Sequence, residues 1–211
     1  MALGAVGKKE SLSEKAYQML REAILSGELK PGDVLTEEGM ADLLQISRTP
    51  VRSALQQLAS EGLLKAGRKN LIVAGVEEEE LKDIDQVRAE LEPLSAELAC
   101  KKGLSLEQAE ELREYCRRQD LAAQAKNVRE FFLQGEKFHM RLADFSGNRY
   151  LAEMISQAST SAVRYLTNQA EPARFLDASG SEHEAVLQTI LQGSPEAARR
   201  QMKEHVAKDR G

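Results

Sequence analysis

The sequence predicts a mostly α-helical protein, an N-terminal winged helix-turn-helix followed by an all-helical bundle of about six helices. Three observations carry this. Apolar residues recur at three- and four-residue spacing along most of the 211-residue chain, the signature of a buried helix face. Aromatics make up only 4% with no Trp, which leaves Leu, Ala, Ile and Val to fill a core. One pair of short apolar runs, Leu63-Leu64-Lys65 and Leu71-Ile72-Val73, brackets the basic tip Ala66-Gly67-Arg68-Lys69-Asn70 and reads as a small hairpin.

Three helices precede that hairpin. The first runs from about Ser13 to Ser26, with Ala16, Met19, Leu20, Ala23 and Ile24 on one face and Gly27 to stop it. After the Pro31-Gly32 turn, Thr36 caps a second helix. Glu37 and Glu38 suit its positive start, and Met40, Leu43 and Leu44 face inward. Ser47 caps the third, and Pro50 falls in the first turn, where a missing N–H does little harm. Val51, Ala54, Leu55 and Leu58 form its apolar stripe, while Arg48, Thr49, Arg52, Ser53 and Gln56 occupy the opposite face. Arg48 and Arg52, at i and i+4, place two guanidinium forks at the start of one helix face, a geometry suited to guanine edges or phosphates. Ser47 and Thr49 flank them. Arg68 and Lys69 at the wing tip are further candidates, with an ordinary solvated turn as the alternative.

The acidic run Glu77 to Glu80 opens a change of composition, so the boundary is placed near residue 76, dividing the chain into 1–76 and 77–211. Residues 1–75 hold ten Lys and Arg against nine Asp and Glu, a net +1, so the acidity behind the overall −5 belongs to the remainder and does not exclude a nucleic-acid partner. Leu81, Ile84, Val87, Leu91, Leu94 and Leu98 keep helical spacing up to Gly103, with a kink expected at Pro93. Ser105-x-x-Gln108 and Asn127-x-x-Glu130 read as capping boxes, as does Ser181-x-x-Glu184, and Gly193-Ser194-Pro195 resets the chain for a last helix. Phe131, Phe132 and Phe138 read as core. No apolar run approaches the ~18–20 residues that cross a bilayer, and no signal stretch opens the chain, which predicts a cytoplasmic protein. Cys100 and Cys116 lack CxxC spacing and read as packed thiols.

Ser47-Arg48-Thr49-Pro50-Val51-Arg52-Ser53-Ala54-Leu55, followed by Leu58 and Glu61-Gly62-Leu63, resembles the recognition-helix signature of GntR-family bacterial transcription regulators. The remainder resembles the FadR-type C-terminal effector domain through Arg88-x-x-Leu91-Glu92, Phe138-His139, Ser146-Gly147-Asn148, His183 and His205. The resemblance implies a regulator rather than an enzyme: a homodimer on a double-stranded DNA operator with an inverted repeat. A small carboxylate effector would bind in the helical domain and relieve repression, with activation as the other sign. Matched positions imply effector contacts from Arg88 and Asn148, and a divalent metal (Zn, Ni or Mn) on His139, His183 and His205. Relatives usually carry an Asp four residues before the first of these histidines, and here that position is Gly135. Glu136, water or the effector's carboxylate would complete the coordination sphere, and Gly135→Asp is expected to strengthen metal binding. The residues leave local alternatives open: an Arg88–Glu92 pair at i+4, Asn148 closing a helix end with Gly147, and a metal-free pocket in which the histidines only hydrogen-bond. Two other classes are a metal-dependent enzyme-like domain, for which no nucleophile or acid/base pair stands at suitable spacing, and an effector-independent DNA-binding protein.

Overall fold

The computed structural model describes residues 11–68, 70–169, 176 and 180–208. The chain divides into two compact units, the second beginning at Gly75 and also taking Leu25–Gly27.

The first unit contains α1 (Leu12–Leu25), β1 (Val34–Leu35), α2 (Glu37–Leu44), α3 (Arg48–Ser60), β2 (Leu64–Ala66) and β3 (Leu71–Val73). The strands form an antiparallel sheet in the order β1-β3-β2, with Val34 opposite Ile72 and Leu64 opposite Val73. The β2–β3 hairpin matches the sequence reading. β1 is an addition, since two residues are too short to display an alternation. Thr36 caps α2, its Oγ1 accepting from Gly39 N at 2.9 Å, and Gln45 ends the helix in the left-handed region at φ 54°. α3 buries Val51, Ala54, Leu55 and Leu58 and exposes Arg48, Thr49, Arg52, Ser53 and Gln56. Two inward assignments are corrected: Met19 is 58% and Leu43 67% exposed. The buried positions of α1 are Ala16, Leu20, Ile24 and Leu25, a narrower face than the apolar pattern around it.

The second unit is all helical among its described residues: α4 (Glu78–Lys102), α5 (Leu106–Gln124), α6 (Val128–Phe145), α7 (Arg149–Thr167), α8 (Gly180–Leu191) and α9 (Pro195–Lys208). α4 packs along α9 and α7, α6 lies between α5 and α7, and α8 touches α5 and α9. Ala96, Ala99, Leu112, Phe138, Leu142, Leu187 and Met202 form the centre of its core, joined by the free thiols Cys100 and Cys116. Ser105 and Gln108 make both halves of a capping box, and Pro195 takes the first position of α9. The Asn127 side chain caps α6 through Glu130 N, but Glu130 itself turns to Gln134, so only half of that box forms. Ser181 lies inside the first turn of α8 rather than at its cap. α4 runs through Pro93 as one helix. The lost hydrogen bond is tolerated because Pro93 is buried and α7 and α9 hold the helix.

α4 also differs in phase from its apolar pattern. Val87 is 48% exposed and Leu91, Leu94 and Leu98 are half-buried against Ala143, Leu151 and Ile155, whereas Asp85, Arg88, Glu92 and Ser95 lie buried. No helix among the described residues is long and apolar enough to cross a membrane.

Candidate functional site

Burying charges is costly unless they are paired, so the polar stripe of α4 marks a site. Glu92 lies between two partners: Arg88 Nε donates to its Oε1 at 2.7 Å, and its Oε2 stands 2.7 Å from His139 Nδ1, a contact that is close but not aligned as a hydrogen bond. His139 on α6 faces His183 on α8 and His205 on α9. The Nε2 of His139 is 3.0 Å from that of His183 and 3.2 Å from that of His205. Each Nδ1 faces a different oxygen: Glu92 Oε2, Gln119 Oε1 at 2.6 Å from His183, and Glu182 Oε2 at 3.0 Å from His205. In the tautomer in which each Nδ1 gives its proton to the oxygen it faces, three Nε2 lone pairs point at one another. That arrangement is repulsive unless something electron-poor sits among them. Nitrogens bound to one divalent ion at about 2.0–2.1 Å lie about 3 Å apart, so the cluster fits a metal, and His139, His183 and His205 form the group of described residues that can hold one.

The electrostatics agree with this arrangement. Burial would raise the Glu92 carboxyl, but the charge of Arg88 and the adjacent His139 outweigh it and hold the group well below the usual carboxylate range. Burial keeps the His183 imidazole well below its ordinary value, helped by His205, His139 and Arg88, and so favours the neutral ligand form. Glu182 is lowered to about 2 by its hydrogen bond to His205 and by Lys208.

Beside the histidines lies a cavity of about 60 Å³, room for about four water-sized groups. Phe131 and Phe132 are buried, as their reading as core expects, and they also line the cavity, while Phe138 is fully buried. Arg88 borders the cavity but is already held by Glu92, with Asp85 Oδ1 at 3.5 Å. Glu136 Oε1 accepts from Thr160 Oγ1 at 2.8 Å and is thus tied to α7. Ser159 Oγ, buried in the lining, has no hydrogen-bond partner among the described residues. Asn148 lies outside the lining; it is exposed, and its side chain caps α7 by accepting from Leu151 N at 3.2 Å. The effector contact expected of it is replaced by this local role. At Gly135 a Cβ would lie 2.8 Å from Gln119 Nε2, so an Asp there requires the Gln119 amide to shift.

In the first unit, Ser47, Arg48, Thr49 and Arg52 lie together on the exposed start of α3. Arg52 makes a two-pronged bond to Glu37 at 2.8 and 2.7 Å, and Arg48 pairs with Glu38. A groove lined by Arg48, Arg52, Gln56, Arg68 and Asn70 brings the wing to the same surface. Lys69 lies outside the described residues.

Residues 12–70 match the model of the bacterial regulatory proteins of the gntR family, and residues 83–208 match that of the FCD domain. The chain belongs to the GntR family. It is a DNA-binding transcription regulator and not an enzyme. Among similar proteins, the regulator is 31% identical to the Nta operon transcriptional regulator of Aminobacter aminovorans, over 72% of this chain and 69% of the relative. It is 26% identical to the uncharacterized HTH-type transcriptional regulator YdhC of Bacillus subtilis, over 92% and 87%. The solved structure of McbR/YncC from E. coli superposes with a TM-score of 0.80 at 25% identity, covering 94% of each chain.

Gln119, Glu182 and Ser159 were missed by sequence reading. Gln119 had a signal, because it interrupts the buried row Ala109, Leu112, Cys116 and Ala122 with an amide. Glu182 and Ser159 had none.

Proposed function

We propose that residues 1–76 read an operator and residues 77–211 bind a small carboxylate effector beside a divalent metal, so that effector binding in the cytoplasm relieves repression. The observation that carries this is the convergence of three buried histidines, with an oxygen facing each Nδ1 and the Nε2 atoms facing one another. His139, His183 and His205 would hold Zn, Ni or Mn, and the bound ion supplies a positive centre for an effector's carboxylate. Ser159 offers a hydroxyl, Phe131 and Phe132 offer apolar walls, and the modest cavity suits a small effector. Arg88 serves as scaffold, keeping Glu92 against His139. The cavity weighs against an effector-independent protein.

On the DNA side, Arg48 and Arg52 take base edges or phosphates, with Ser47, Thr49, Arg68 and Lys69 supporting. One recognition helix reads only a few base pairs, so a homodimer on an inverted repeat supplies the length. Ligand can change DNA affinity only by binding two states differently.

Zinc titration of metal-stripped protein tests the site. The parent is expected to take up one ion per chain and His183→Ala to lose it. Equal uptake by both, or none by either, refutes the assignment. Fluorescence anisotropy on operator DNA, with zinc and a panel of two- to six-carbon acids, then reads the coupling; unchanged affinity across the panel removes the effector reading.

A further inference from the structure

This inference rests on the metal site proposed above. Gly135 stands one turn before His139 on α6, and α5 brings Gln119 against it. A Cβ added at Gly135 meets Gln119 Nε2 at 2.8 Å and His183 Cε1 at 3.5 Å. Gln119 is 4% exposed, its Oε1 lies 2.6 Å from His183 Nδ1, and its amide borders the cavity. A glutamine buried on the otherwise apolar face of α5 costs desolvation unless both ends of its amide are used.

We propose that Gln119 is the positioning residue of this site and occupies the place a side chain at position 135 would need. Its carbonyl accepts the Nδ1 proton of His183 and fixes the tautomer whose Nε2 faces the cluster. Its amide stands where a side chain at position 135 would begin, so a fourth protein ligand there comes at the cost of moving Gln119 off His183. The ion is then left with three neutral donors from the chain, so the anion that balances it comes from outside, with the Gln119 N–H groups at the cavity as donors for it. Gly135 and Gln119 form one unit: a side chain at position 135 alone, or loss of the Gln119 acceptor alone, is harmful, and a change at both exchanges one ligand arrangement for another.

Four full-length variants test this: Gln119→Leu, Gln119→Glu, Gly135→Asp, and Gln119→Ala with Gly135→Asp. The readouts are metal-free melting temperature, zinc affinity by competition with a chromophoric chelator, and the visible bands of the Co(II) form. Gln119→Leu keeps the volume but not the acceptor and is expected to weaken zinc roughly 10- to 100-fold and alter the Co(II) bands. Gln119→Glu, which accepts the same proton, is expected to restore both. Gly135→Asp alone should melt lower without metal, because its Cβ overlaps Gln119. The double variant should regain the melting temperature and bind zinc more tightly than the parent. Parent-like zinc affinity in Gln119→Leu overturns the positioning role. An unchanged melting temperature with tighter zinc in Gly135→Asp alone overturns the exclusion. A parent that takes up no zinc removes the metal reading and this inference together, an outcome distinct from either.

Discussion

The two units use the same ion pair in opposite ways. Arg52 and Glu37 bond at 2.7–2.8 Å with side chains 60% and 38% exposed, whereas Arg88 and Glu92 bond at 2.7 Å with side chains 5% and 1% exposed. The difference is water. In the first pair the solvent screens both charges and can replace either partner, so a phosphate or a guanine can displace the glutamate with little net loss. In the second, each charge has lost its hydration and depends on the other, so removing one strands its partner. Exchangeability suits a surface that must let go of one partner to take another. Permanence suits a scaffold that aims His139.

The largest effect should come from breaking the buried pair. Arg88→Met is expected to destabilise the helical unit by about 3–5 kcal/mol in urea unfolding, because Glu92 loses its hydrogen-bonded cation and keeps only the contact with His139; a loss below about 1 kcal/mol would mean the pair is not a scaffold. Next, Arg52→Ala should weaken operator binding roughly tenfold to a hundredfold at fixed salt in an anisotropy titration. Its urea midpoint should stay at the parent's, and a matching loss of stability would erase the contrast between the units. The smallest change is expected from Glu37→Gln, which releases Arg52 without removing it. Binding to non-operator DNA should strengthen by roughly two- to fivefold and fall more steeply with salt. If non-operator binding weakens instead, Glu37 aims the guanidinium rather than competing for it.

The same contrast explains what was legible in the sequence. In α3 the apolar residues Val51, Ala54, Leu55 and Leu58 are buried and the polar ones exposed, so periodicity gave both the helix and its reading face. In α4 periodicity gave the helix but misplaced its face. Asp85, Arg88 and Glu92 resemble a solvated stripe, and only packing against α7 and α9 shows that they are inside. The three histidines were legible through resemblance alone, since their meeting depends on how α6, α8 and α9 pack. Asn148 misled in the other direction: it carried a family motif, yet the local chemistry of a helix start accounts for its position.

The thiols of the bundle have a practical consequence. Burial pushes the Cys116 thiol up to about 12, with Glu184 and Asp120 adding to it, and Cys100 is also raised by burial. At pH 8 only about one Cys116 in ten thousand would be thiolate, and the closed bundle shields that fraction from reagents. Alkylation of Cys116 must therefore wait for the helices to part, and in a Cys100→Ser variant, under conditions where parting is slower than capture, its rate counts those events. Cys116 is thus a clock for breathing of the effector domain, and a ligand that tightens the bundle should slow it.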